Sequence, residues 1–139
     1  MKDKIVLTLL NDLKKAQKKK EIPIAALIVF NNKIIAHCHN ARVSRKDVTA
    51  HAEVLAIKKA AKKLGDWRLN GCELYVTLEP CSMCSEIIKE SRIDHVFYYV
   101  SRNENKKGFY KTDFKLLTNN SSDSFQHFLS SFFKDNGNR

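Results

Sequence analysis

Two short segments far apart in the chain must meet in any fold this sequence adopts. The first is His51-Ala52-Glu53, and the second is Pro80-Cys81-Ser82-Met83-Cys84. Together they offer one imidazole and two thiols, enough to hold a zinc ion on three protein ligands. Three ligands rather than four leave one position for water, which marks a catalytic rather than a structural site. Taken singly, each half is weak. Cys-x-x-Cys also occurs as a redox pair, and His-x-Glu on a helix is usually surface. The combination, with Pro80 directly before the first cysteine, is strong for a catalytic zinc site with a carboxylate beside it. In that reading His51, Cys81 and Cys84 are the metal ligands. Glu53 is the catalytic proton shuttle, a carboxylate that need not coordinate.

The periodicity places these residues on helix starts. Apolar positions at Ile5, Leu9, Leu13 and Ala16 predict an amphipathic helix over 3–19, ended by Pro23. Residues 24–30 and 33–39 read as two antiparallel strands joined at Asn31-Asn32, a pair suited to the positive φ of a tight turn. Residues 40–49 read as loop, and 50–64 as a helix stopped by Gly65. A third strand is expected over 72–78, a helix over 81–90 and a fourth strand over 96–100. A polar stretch over 101–107, a short fifth strand over 114–117 and a last helix over 124–134 complete the order, with 135–139 frayed. The whole of residues 1–139 is read as a single domain. His51 then falls in the first turn of one helix, and Cys81 and Cys84 in the first turn of another. Helix N-termini carry positive potential, which favours thiolates there. Cys38 and Cys72 fall on strands and read as buried small hydrophobes. His37 and His39 share a strand face that shows no nearby acidic or thiol partner in sequence, against a second metal site.

Lys and Arg number 25 against 15 Asp and Glu, a formal net charge of +10. Such an excess favours polyanions, with nucleic acid ahead of an anionic membrane. Lys58, Lys59, Lys62 and Lys63 form one candidate basic face, and Lys14, Lys15 and Lys18 to Lys20 another. No segment is long enough to span a bilayer, and the start is too short and too quickly charged for a signal peptide. The expected compartment is the cytoplasm, where four cysteines are thiols or ligands rather than disulfides.

Beyond the metal motif, Glu21-Ile22-Pro23-Ile24, Asn40, Asp47 through Glu53, Leu74 through Cys84 and Ser91-Arg92-Ile93 resemble the bacterial tRNA-specific adenosine deaminases of the cytidine-deaminase-like superfamily. The resemblance implies a three-layer α/β/α fold with a mixed five-stranded sheet, and a homodimer holding one Zn2+ per subunit. It implies conversion of adenosine to inosine at the wobble position of the tRNA anticodon loop. Asn40 would bind the target nucleotide, the backbone at Ala52 would help read the base, and Phe132 and Phe133 near the last helix end would contact RNA. The chain departs from the family pattern at Pro23-Ile24-Ala25-Ala26, at Val48, and over 99–108, where a family acidic position falls on Arg102. The rival readings are a free-base or nucleoside deaminase of guanine or cytosine type, and a non-catalytic zinc-dependent RNA-binding module, which the intact Glu53 opposes.

Overall fold

The computed structural model describes residues 1–102, 112–117 and 120–136. The expected polar stretch beyond Arg102 and the chain's last three residues lie outside them. The elements are α1 (Lys2–Lys18), β1 (Ala25–Phe30), β2 (Lys33–His39), α2 (Arg42–Arg45), α3 (Ala52–Leu64), β3 (Glu73–Leu78), α4 (Ser82–Glu90), β4 (His95–Val100), β5 (Asp113–Leu116) and α5 (Asn120–Asn136). The expected order holds, with one added helical turn at α2.

The five strands form one sheet in the order β2-β1-β3-β4-β5. β1 is antiparallel to both β2 and β3, while β3, β4 and β5 run parallel. Because successive strand residues point to opposite faces, β1 feeds two cores. Ala25, Leu27 and Val29 pack with Ile5, Leu9, Leu13, Tyr99 and Phe125 beneath α1 and α5. Ala26 and Ile28 pack with Ala52, Ala56, Ala60, Leu74, Val76 and Ile88 beneath α3 and α4. The result is the three-layer α/β/α arrangement with a mixed sheet. Small residues on the inner face of α3 let that helix lie close on the strands. Asn31 and Asn32 turn the hairpin with φ of 50° and 62°, as their short polar side chains allow. Gly65 closes α3 at φ +72°, where a side chain would strain the backbone.

The strand directions fix where a site can form. β2 is antiparallel to β1, which is antiparallel to β3, so β2, β3 and β4 point the same way. Their carboxyl ends, at His39, Leu78 and Val100, share one end of the sheet with the start of β1. That end of an open α/β sheet is where ligands are usually bound.

Candidate metal centre and substrate cavity

At this end of the sheet, β3 runs through Glu79 and Pro80 into α4, and the loop after β2 runs into α3. The Glu79 N–H donates to the Val100 carbonyl at 2.8 Å, tying the ends of β3 and β4 together just before the cysteines. Cys81 is the N-cap of α4, Cys84 lies one turn in, and His51 is the N-cap of α3. His51 and Cys81 therefore sit one position earlier than the first-turn placement expected from sequence. Their ligand atoms still converge. The His51 Nδ1 is 3.4 Å from the Cys84 Sγ and 3.8 Å from the Cys81 Sγ, and all three ligand atoms lie within 4.8 Å of one another. A tetrahedral zinc with bonds of about 2.3 Å to sulfur and about 2.0 Å to nitrogen sets N···S separations of about 3.6 Å. The observed pair brackets that value, so the donor set fits one zinc ion per chain. It is the one such group of His, Cys, Asp and Glu among the described residues.

The electrostatics of the ligands depart from one expectation. Burial pushes the Cys84 thiol well above its ordinary range, with the neighbouring Glu53 and Cys81 charges adding to the shift. Proximity to a helix start does not overcome the loss of water around a fully buried sulfur. Cys84 therefore gives up its proton on binding a cation, as thiolate ligands do. The His51 imidazole is shifted the other way. Burial, then the charges of Arg42 and Arg102, hold it below its ordinary range and keep it neutral, the form that ligates a metal.

A cavity of about 740 Å³ opens beside these three residues. His51, Ala52, Glu53 and Cys81 line its floor, with Asn40 and Arg42 from the loop after β2 and Ser101 and Arg102 from the end of β4. Glu53 is 4% exposed. Ala52 opens α3, so its N–H is one of the first-turn donors without a partner inside the helix. Asn40 is buried and its Oδ1 accepts the Arg42 N–H at 3.1 Å, so its amide nitrogen is the group left to donate. The two phenylalanines part company. Phe133 lines the cavity, whereas Phe132 turns inward at 7% exposure and meets Phe133 edge to face at 5.4 Å.

Three parts of the cavity were not legible in the sequence. The 40–49 segment contains the turn α2 because the buried Glu21 carboxylate accepts the Val43 and Ser44 N–H groups at 3.1 and 2.7 Å. This cap comes from a residue more than twenty positions away, beyond local patterning. Arg42 enters the cavity on that turn. From α5, Gln126, Leu129, Ser130 and Phe133 line the wall at helical spacing. Such spacing was visible, but not which stripe of the helix would face a site.

Elsewhere, Cys38 and Cys72 are buried as expected, Cys72 just before β3. His37 has a partner that sequence proximity could not show. Its Nδ1 lies 2.7 Å from the carboxylate of Asp12 on α1. The lysines of both candidate basic faces are exposed. Among the described residues no helix is long and apolar enough to cross a membrane.

This geometry, a His-Cys-Cys centre with a buried carboxylate at the edge of a mixed sheet, defines a class. The profile described as the cytidine and deoxycytidylate deaminase zinc-binding region matches residues 1–100, and the chain belongs to that family. Within it, the chain is 48% identical over 89 residues to a tRNA-specific adenosine deaminase of Bacillus subtilis, a match covering 64% of this chain and 55% of that relative. It is 38% identical to the tRNA-specific adenosine deaminase of Buchnera aphidicola, covering 86% of this chain and 85% of that one. A solved structure from biochemical and structural studies of A-to-I editing by tRNA:A34 deaminases at the wobble position of transfer RNA superimposes with a TM-score of 0.75. It is 31% identical and covers 84% of this chain and 100% of that one. The chain spans little more than half the length of the first curated relatives it matches.

Proposed function

We propose that this chain is a single-domain, zinc-dependent hydrolase that converts adenosine to inosine at the wobble position of tRNA, acting as a cytoplasmic homodimer. The observation that carries the reading is the convergence of His51, Cys81 and Cys84 beside the buried Glu53, at the floor of a cavity whose rim is cationic. His51, Cys81 and Cys84 would hold the zinc. Bound there, zinc supplies a Lewis acid that brings the pKa of a water to about 7.

Glu53 takes a proton from the attacking water and hands it to the purine ring nitrogen, then carries the remaining hydroxyl proton to the departing amino group. The C6–O bond forms, the C6–N bond breaks, and ammonia leaves. Burial of Glu53 keeps bulk water from competing for that proton. Asn40, its amide oriented by the Arg42 N–H, donates to the target nucleotide. The Ala52 N–H at the start of α3 reads the base. Phe133 packs against the RNA, and Phe132 supports it from within. A base everted from an anticodon loop suits such a cavity, because enzymes acting on bases read them out of the stack.

The test is direct. The protein is incubated with tRNA carrying adenosine at the wobble position and, separately, with guanine, cytosine, adenosine and cytidine. Inosine formed in tRNA alone is the expected result. Ammonia released from guanine alone overturns the assignment. RNA binding without any ammonia release would instead support a non-catalytic module.

A further inference from the structure

The cavity is lined by two arginines that the deamination chemistry does not use. Arg42 follows β2 and Arg102 follows β4, and in the sheet β1 and β3 lie between those strands. The backbone of each is held by a buried polar side chain. The Arg42 N–H donates to Asn40, and its helical turn is capped by Glu21, which is fully buried. Arg102 donates its backbone N–H to the Glu79 Oε1 at 3.0 Å and its Nε to the Glu79 carbonyl at 2.7 Å. Glu79 is itself 7% exposed. With the Arg102 Nε occupied, its two terminal amino groups remain to donate. Among the described residues neither arginine forms an ion pair. Both line the same cavity as His51 and Glu53.

Two arginines lining one concave site, neither in an ion pair with a carboxylate among the described residues, are the chemistry that recognises phosphate. We propose that Arg42 and Arg102 form a phosphodiester clamp at the cavity mouth, selecting a nucleic acid strand over a free base. The clamp rests on the tRNA reading above and names how that substrate is told apart from smaller ones. Exposed lysines add diffuse attraction along the surface. The clamp differs in being fixed beside the reacting base, so it acts on register.

Arg42→Gln and Arg102→Gln are compared with wild type on an anticodon stem-loop RNA bearing the wobble adenosine, on adenosine monophosphate, and on adenosine and guanine. Each variant should raise KM for the stem-loop about tenfold, leave kcat within about twofold, and flatten the slope of log KM against log salt by about one. Arg102→Lys should recover most of the salt slope, since it keeps the charge. Unchanged zinc content and melting temperature separate this effect from misfolding. A wild type active on the stem-loop whose KM and salt slope are unmoved in both variants overturns the clamp. Equal dependence on the arginines for the monophosphate overturns the preference for a strand. A wild type that deaminates guanine and not the stem-loop overturns the tRNA reading itself.

Discussion

The floor and the rim of the cavity are built by different means. The floor comes from two short motifs, His51 to Glu53 and Cys81 to Cys84, whose inner spacing is covalent and whose helix N-caps dock once against each other. The rim is assembled at long range. Glu21 caps α2 from the far side of β1 and β2, Glu79 holds Arg102 across a strand pair, and α5 lends its wall from the chain's other end. A chemistry that tolerates little displacement is thus carried by short covalent spacings. Substrate recognition is carried by contacts that can be changed one at a time.

Removing a ligand should break the floor most completely. Cys84→Ala should lose zinc, measured by elemental analysis, and reduce turnover to background, and chelation of the wild type should do the same until zinc is restored. Glu53→Ala should lower kcat by about 10²–10⁴-fold while keeping zinc, because it removes a proton carrier and no ligand. A variant that keeps its rate would show that the proton takes another path.

The rim should respond in smaller steps. Phe132→Ala should cost about 3 kcal/mol in denaturant unfolding, as truncation of a buried aromatic does. Glu21→Gln should cost about 2 kcal/mol, the worth of charged hydrogen bonds to buried donors. Its pH dependence has a definite sign. Burial raises the Glu21 carboxyl, but the Ser44 side chain and the Ser44 and Val43 backbone outweigh it, so the group sits below its ordinary 4.5. A depressed carboxyl contributes stability that is present above its unfolded-state pKa and lost as pH falls through its folded one. Acid titration below 4.5 should therefore destabilise wild type more than Glu21→Gln. Phe133→Ala is expected to change stability by less than about 0.5 kcal/mol, being at the surface. Its effect should appear in KM for RNA, and equal melting losses at 132 and 133 would erase the distinction between them.

The same division explains what could be read in advance. Every long element was legible, because the apolar periods of α1 and α3 and the Val- and Ile-rich strands are local patterns. The cluster of His51, Cys81 and Cys84 was legible because their spacing is what lets three donors meet. The α2 turn was read as loop, since nothing between Asn40 and Thr49 announces a cap supplied by Glu21. The raised thiol of Cys84 is not legible for a related reason. Its place at a helix start is written in the sequence, while its complete burial is a property of the packed whole. His37 and Asp12 likewise meet only once α1 lies across β2.

The strand directions have a wider consequence. Because β2, β3 and β4 all deliver their carboxyl ends to one end of the sheet, the residues leaving β2 and β4 are brought beside the start of α4. The parallel pairing of β3 with β4, which leads into the N-cap of α4 at Cys81, is set by the sheet itself. A change at Arg42 or Arg102 can therefore reshape one wall of the cavity while the strand that leads into Cys81 keeps its neighbours.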